Sequence, residues 1–186
     1  MSVRFTYPVE FPCQPVLEHE LADCEQSLGV ALPAELQEFL RLHDGPMPNP
    51  AWIRVEGNGE PQWFGPVNTF FTVMRMDPRS RRDTIESYTY SSREIEKLPE
   101  HFLCIGIATR QPSTLLLSTA KEDYGAIYAW HPRFRRFKPA QMVKIAAGLS
   151  ALLDAFCEPP ESVEEFYPDW KKDLERIRSM PAFPTN

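Results

Sequence analysis

Residues 28–45 have the sequence LGVALPAELQEFLRLHDG, and this stretch decides the first part of the fold. Pro33 suits the first turn of a helix, and Leu36, Phe39 and Leu40 recur at a spacing that places them on one helical face. The stretch ends in a glycine, the residue that most easily takes the left-handed conformation that stops a helix. It therefore predicts the end of one helix, a tight turn and a short second helix.

The residues just before this stretch predict the first helix of the pair. Leu17, Leu21, Cys24 and Leu28 recur at the 3.6-residue period of an amphipathic helix, and Gly29 suits its C-terminal end. We therefore expect the chain to begin with a packed pair of helices.

The remainder of the domain predicts an α+β fold. Short runs rich in β-branched and aromatic residues, separated by Gly, Pro and Asn, predict about six mostly antiparallel strands, at residues 52–56, 62–64, 67–74, 102–108, 114–119 and 126–131. A further helix is expected to begin near Asp77 or Pro78. Residues 140–156 carry the strongest amphipathic pattern, which predicts a long helix packed on the sheet.

The C-terminal residues 159–186 predict a separate helical extension. Phe166, Trp170, Leu174 and Ile177 form an apolar stripe at helical spacing, interrupted at Pro168. Such a stripe is too apolar for a free helix in water, so we expect the extension to dock on its own domain, formed by residues 1–158, with docking on a second copy of the chain as the alternative.

The order of these segments resembles that of the SUKH superfamily. The stretch at 28–45 is similar to that family's helix, Leu-Pro turn, helix and glycine signature. The segments KLPEHFLCIGIA, GAIYAWHP and AAGLSALLDAF, at 97–108, 125–132 and 146–156, are similar to its later strands and closing helix and follow in the same order. The resemblance spans residues 15–157, and the extension continues past the family's usual end.

The resemblance implies a binding protein. SUKH members include fungal regulators of cell-wall synthesis and bacterial immunity proteins that neutralise protein toxins. It therefore implies a non-catalytic immunity protein that binds a cognate toxin domain, such as a basic nuclease. The alternative that it implies is a regulatory scaffold that binds an endogenous protein.

The residues themselves predict neither an enzyme nor a metal or cofactor site. The segment STAK, at 118–121, has the spacing of an S-x-x-K acyl enzyme, but the other motifs of that class do not follow it. The four histidines lack metal-ligand spacing, and the four cysteines include no CxxC pair. No glycine-rich phosphate loop is present.

Charge and hydropathy indicate where the protein acts and what it binds. The net charge is −6, and the composition, 42% hydrophobic and 25% charged, is that of an ordinary globular domain. No apolar run is long enough for a membrane span or a signal peptide, so we expect a cytoplasmic protein. The basic run HPRFRRFKP, at 131–139, favours a solvated loop over direct nucleic-acid binding because the chain as a whole is acidic.

Two surfaces are candidates for the partner. Carboxylates of the helix pair, among them Glu35, Glu38 and Asp44, could bind arginines of a basic toxin, although a plain solvated helix face would have the same composition. Trp52 and Trp63 could act as aromatic anchors, or could belong to a minor hydrophobic cluster that covers the sheet. The sequence leaves both alternatives open.

Overall fold

The computed structural model describes residues 4–6, 15–43, 45–49, 51–55, 62–74, 83–108, 113–130 and 142–158. The helices are α1 (Glu18–Leu28), α2 (Ala34–Leu42), α3 (Ile85–Ser91), which continues into a π-helical turn (Ser92–Glu96), and α4 (Leu149–Asp154). The strands are β1 (Arg4–Thr6), β2 (Met47–Asn49), β3 (Trp52–Val55), β4 (Gln62–Phe64), β5 (Val67–Phe70), β6 (Phe102–Ala108), β7 (Ser113–Ser118), β8 (Ile127–Trp130), β9 (Met142–Ala146) and β10 (Phe156–Cys157). The predicted C-terminal extension, the basic run after β8, Asp44 and Cys13 lie outside the described residues.

The described strands form three antiparallel sheets. The largest has five strands in the order β5-β6-β7-β8-β9, the second has the order β10-β3-β4, and the third pairs β1 with β2. The α+β class and the antiparallel pairing predicted from the sequence are confirmed. The strands are divided among three sheets, whereas the sequence predicted a single sheet of about six strands.

The core lies on the central strands of the five-stranded sheet. Every side chain of β7 and nearly every side chain of β6 is buried, which is typical of strands covered on both faces. Helix α3 packs against β6, where the backbone N–H of Cys104 donates a 2.9 Å hydrogen bond to the Thr89 hydroxyl. Helix α2 also packs against this sheet, where Phe39 contacts Phe70 of β5, with ring centroids 5.0 Å apart.

The N-terminal helix pair is confirmed as predicted. Helix α2 buries the whole apolar stripe that its sequence spacing indicated, and α1 buries Leu21, Cys24 and Leu28. Leu17, the first residue of the predicted stripe of α1, lies at the N-cap and is 54% exposed. Gly29 has a φ of 71°, and its N–H donates to the Glu25 carbonyl at 2.9 Å. The glycine therefore ends α1 in the left-handed conformation that is easiest for a residue without a Cβ atom.

The prediction of one long helix at residues 140–156 is wrong. The described part of this segment forms strand β9, then the short helix α4, and then the first residue of β10. Strand β9 pairs with β8, where Met142 lies opposite Trp130 and Val143 opposite Ala129. Gly148 separates β9 from α4 in an extended conformation. The apolar pattern suited a helix. However, this segment forms hydrogen bonds with the edge of β8, and such tertiary pairing overrides the local preference for a helix.

The predicted start of a helix near Asp77 or Pro78 lies outside the described residues. Asp83 and Thr84 are not helical, and α3 begins at Ile85. The Thr84 hydroxyl accepts a 3.0 Å hydrogen bond from the N–H of Ser87, so Thr84 is the N-cap. Residues 75–82 lie outside the described residues.

Candidate protein-binding site

The three-stranded sheet has one face in the core and one face turned outward. Ile53, Phe64 and Phe156 are opposite one another on adjacent strands, and all three pack in or against the hydrophobic core. Successive side chains of a strand point to opposite faces, so the intervening residues point away from the core. Trp52, Arg54 and Trp63 therefore share the outward surface, which we call the Trp–Arg face.

Two side chains of the Trp–Arg face, Arg54 and Trp63, contact each other. Arg54 lies directly opposite Trp63 in the sheet register, and its guanidinium carbon is 5.8 Å from the Trp63 ring centroid. Arg54 is exposed, whereas both tryptophans are half-buried. The geometry is that of a cation–π pair on a strand held on both sides by its neighbours.

The sequence predicted the two tryptophans but did not predict Arg54. A signal was present, because Arg54 follows Trp52 by two residues, and residues at that spacing share one face of a strand. Only the register of β3 against β4 shows that Arg54 is also opposite Trp63.

Two carboxylates of the helix pair face a cation from their own domain. The carboxylate of Glu18 lies 2.8 Å from the guanidinium of Arg41, and that of Glu38 lies 3.8 Å from it. Glu18 and Glu38 are exposed, with side chains 79% and 68% accessible. Both therefore remain available to an approaching partner.

The carboxylate of Glu25 holds the turn between the two helices. It accepts hydrogen bonds from the N–H of Leu32 at 2.8 Å and from the side-chain amide of Gln37 at 3.0 Å. Because Glu25 is half-buried and engaged by these donors, its role in the fold is to fix the angle between α1 and α2.

The carboxylate of Glu35 caps helix α4. Its Oε2 accepts hydrogen bonds from the N–H of Leu149 at 2.8 Å and from the N–H of Ser150 at 3.3 Å, and its Oε1 accepts one from the Ser150 hydroxyl at 3.0 Å. A Cβ atom added to Gly148 would lie 3.0 Å from Glu35 Oε2, so glycine suits this close approach. Of the three carboxylates predicted to face a partner, Glu35 thus has a structural contact, Glu38 is exposed, and Asp44 lies outside the described residues.

The serine of the S-x-x-K segment belongs to a different arrangement. Ser118 is fully buried, and its hydroxyl donates a 2.5 Å hydrogen bond to Asp123, which also accepts one at 2.5 Å from the Tyr128 hydroxyl. Burial opposes ionisation of Asp123, but these two hydrogen bonds, with Lys144 and His101 nearby, bring its pKa below the usual value. Burial, the hydrogen bond to Asp123 and the negative charge of Asp123 raise the pKa of Tyr128 to about 12. The cluster therefore closes the turn between β7 and β8.

The described cysteines are free thiols. Burial, together with the adjacent Glu86, raises the pKa of Cys24 far above its usual value, and burial raises that of Cys104 to about 12. A thiol reacts as its thiolate, so these two side chains are poor nucleophiles at neutral pH. Within the described ranges, no three His, Cys, Asp or Glu side chains are grouped to hold a metal ion, and none of the helices is long and apolar enough to cross a membrane.

The chain is similar to a known protein family. A family model described as the SMI1/KNR4 family (SUKH-1) matches residues 15–155, which is more than half of the 186-residue chain. The chain belongs to the SMI1/KNR4 family. The resemblance found in the sequence is thereby confirmed. A comparison with curated proteins gave no match.

The SMI1/KNR4 match covers the four helices of the described residues and the Trp–Arg face. It ends at residue 155, immediately before β10, so the C-terminal extension lies outside it. The SUKH proteins to which the family belongs include toxin-immunity proteins and fungal regulators, and both groups act by binding other proteins.

Proposed function

We propose that this chain is a non-catalytic immunity protein that binds a cognate protein toxin in the cytoplasm of a bacterial cell and neutralises it. Membership of the SMI1/KNR4 family supports this class of function. The observation that carries the proposal is the Trp–Arg face, because it presents two aromatic side chains and an arginine on the solvent side of a sheet.

The composition of the Trp–Arg face suits a binding centre. Tryptophan and arginine are enriched among the interface residues whose loss weakens binding most, and their contribution grows when the partner excludes water from them. Arg54 is exposed and can form charge-assisted hydrogen bonds to a carboxylate of the toxin. Because all three residues are on paired strands, little backbone entropy is lost when the partner binds.

The exposed carboxylates of the helix pair have a second role in the proposal. Asp23 and Glu38 are exposed, and with Asp44 they would attract a basic toxin such as a nuclease before contact. Long-range attraction of this kind raises the association rate more than the final affinity. In this proposal, the Trp–Arg face therefore holds the bound toxin, and the exposed carboxylates of the helix pair attract the toxin before contact.

Co-expression with a toxin tests the proposal. Each toxin domain encoded beside the gene is expressed from an inducible promoter with this chain, and growth of the bacterial host is measured. We expect the chain to restore growth against one of these toxins. Trp52→Ala, Arg54→Ala and Trp63→Ala are each expected to weaken the purified complex by about 30-fold, which corresponds to a hot spot of about 2 kcal/mol.

A matched control shows whether binding depends on the Trp–Arg face or is weakened by the loss of any aromatic side chain at the surface. Tyr124→Ala removes an exposed aromatic ring from the turn between β7 and β8, away from the three-stranded sheet, and should leave binding unchanged. Urea unfolding of each variant shows whether the fold is kept. If no neighbouring toxin is neutralised and the chain instead forms a stable complex with a host protein, the regulatory scaffold is the correct function and immunity is excluded.

A further inference from the structure

Strand β9 has one edge without a neighbouring strand. It is the last strand of the five-stranded sheet: β8 pairs with one of its edges, and no other described strand pairs with the opposite edge. Val143 and Lys144 in this strand are exposed. An unpaired strand edge presents a row of backbone N–H and C=O groups that can bind another strand. This edge of β9 is therefore open to extension of the sheet by another chain.

The pairing within the sheet shows which residues of β9 point their backbone groups outward. The N–H of Ser118 in β7 donates a 2.9 Å hydrogen bond to the carbonyl of Ala126, immediately before β8. Backbone groups of successive residues in an antiparallel strand point alternately to its two sides, so those of Ala129 point toward β9, where Ala129 lies opposite Val143. The residues on either side of Val143 therefore direct their N–H and C=O groups to the free edge.

A bulge limits the length of this free edge. The register of β9 against β8 shifts after Lys144, so that Ile145 is an extra residue without a direct partner on β8. A bulge bends a strand and interrupts its regular pairing. Regular pairing at the free edge is therefore limited to residues 142–144, where Met142 and Lys144 are the outward-pointing residues.

These three residues are complementary to themselves when two copies meet about a two-fold axis at Val143. In such an antiparallel pair, Met142 of each copy lies opposite Lys144 of the other, and each of these pairs exchanges both N–H···O=C hydrogen bonds. Val143 then lies opposite Val143 of the second copy, and opposed β-branched side chains are favourable across strands. A pair centred on Lys144 would instead place two ammonium groups opposite each other.

We propose that β9 pairs with β9 of a second copy in this register, so that the chain forms a two-fold dimer with one continuous sheet. Lys144 does not prevent this pairing, because its charge interacts favourably with the Asp123 carboxylate of its own chain. The paired edge is short, so we expect a dimer that dissociates on dilution. The Trp–Arg face is on another sheet, and the inference is therefore independent of the proposed function.

Sedimentation equilibrium of the full-length chain over about a hundredfold range of concentration tests the dimer. We expect a reversible equilibrium between monomer and dimer. Val143→Lys should raise the dissociation constant about tenfold, because it places like charges directly opposite each other across the two-fold axis. Val143→Thr keeps a β-branched side chain and should dimerise as the unchanged chain does. Ile95→Lys adds the same charge to an exposed apolar site on the π-helical turn and should leave the constant unchanged.

Cross-linking of introduced cysteines tests the register. The two copies of residue 143 form a non-hydrogen-bonded pair, in which Cα atoms are about 4.5 Å apart, a distance that a disulfide bridges. Val143→Cys should therefore give a covalent dimer when oxidised glutathione is added. The two copies of residue 144 are about 8 Å apart in the same register, too far for a disulfide, so Lys144→Cys is the matched control. The unchanged chain gives the background from the native cysteines.

Three results would overturn the proposal. The first is a monomer at every concentration, and if such a chain loses toxin binding in Val143→Lys, the free edge of β9 belongs to the toxin. The second is a dimer that Val143→Lys does not weaken, which would place the contact elsewhere. The third is equal cross-linking of Val143→Cys and Lys144→Cys. This comparison decides the proposal if urea unfolding shows that Val143→Lys has lost its fold. Dimerisation is measured without a toxin, so its failure leaves the proposed function to its own experiment.

Discussion

At the scale of single residues, Glu35 shows how one side chain joins distant parts of the chain. Its carboxylate on α2 accepts the N–H of Leu149, 114 residues later, together with the N–H and the hydroxyl of Ser150. The first N–H groups of a helix have no partner within the helix, and a negative charge near them is favourable. Gly148 is the N-cap residue of α4, and the Glu35 carboxylate on α2 supplies the acceptor for the first N–H groups of that helix.

Replacing Glu35 by alanine should destabilise the fold. We expect Glu35→Ala to lower the free energy of unfolding by about 1 kcal/mol, the usual effect of removing an N-cap. Glu38→Ala on the same helix is the control, because its carboxylate is exposed and lies 3.8 Å from Arg41. That change should stay below about 0.5 kcal/mol. Urea unfolding measures both variants, and equal losses would contradict the capping role of Glu35.

At the scale of elements, the turn between β7 and β8 is closed by a charge-assisted pair of hydrogen bonds. Asp123 accepts from the hydroxyls of Ser118 at the end of β7 and Tyr128 in β8. Ser118 also accepts the N–H of Ala120 at 3.2 Å. These contacts tie both strands to one carboxylate.

The contribution of Tyr128 to this turn should depend on pH. The pKa of Tyr128 is about 12 in the folded chain, above its ordinary value of 10.0, so its stabilising effect is complete below pH 10 and is lost as pH rises toward 12. We expect Tyr128→Phe to lower the free energy of unfolding by about 1 kcal/mol at pH 8 and by progressively less above pH 10. Urea unfolding from pH 8 to 11 measures this change. The control is Tyr124→Phe in the same turn, and an effect of Tyr128→Phe that is constant with pH would exclude the mechanism.

The elements also show what the sequence can and cannot predict. Helices α1 and α2 were predicted because their signals are local: apolar spacing, a proline at the start and a glycine at the end of α1. Strands β6 and β7 were predicted because their long apolar runs are bounded by turn residues. The segment of β9 and α4 was misassigned because its pattern suited a helix, and only the edge of β8 makes it a strand.

Some features of the candidate site could also be predicted from the sequence, and others could not. The two tryptophans could be predicted from residue type alone, but the contact of Arg54 with Trp63 depends on strand register. The role of Glu35 could not be predicted either, because its partners are more than 100 residues away in the sequence. A pattern within a few residues carries no information about such a pairing.

At the scale of the whole molecule, charge is unevenly distributed along the chain. Residues 1–50 contain two Lys or Arg against eight Asp or Glu, whereas residues 101–150 contain seven against two. The acidic part includes the helix pair, whose exposed carboxylates face solvent. A basic partner would therefore be attracted toward one region of the surface.

If the proposed function is correct, removing this attraction should slow association with the proposed toxin. We expect Asp23→Asn, Glu38→Gln and Asp44→Asn combined to lower the association rate about tenfold at low salt and to have little effect once salt shortens the Debye length well below ~8–10 Å. Glu35 is left unchanged because it caps α4. Stopped-flow mixing with the toxin at several salt concentrations measures the rates.

A second triple variant controls for net charge. Glu94→Gln, Glu100→Gln and Glu122→Gln remove the same number of exposed carboxylates from outside the helix pair. Their association rate should stay close to that of the unchanged chain. Equal slowing by the two triple variants would mean that total charge matters and its location does not.

The contact between Glu35 and α4 also bears on how the chain matures on the ribosome. Helix α2 leaves the ribosome early, but the N–H donors for its Glu35 carboxylate are more than 100 residues later in the chain. Strand β3 likewise pairs with β10, which is translated much later. An unfinished chain thus has an α2 carboxylate without its donors and a β3 edge without its neighbour, and exposed strand edges promote misassembly. Native structure is then completed only after nearly the whole domain has been translated, so we expect truncated chains that lack α4 and β10 to be cleaved by proteases faster than the full domain.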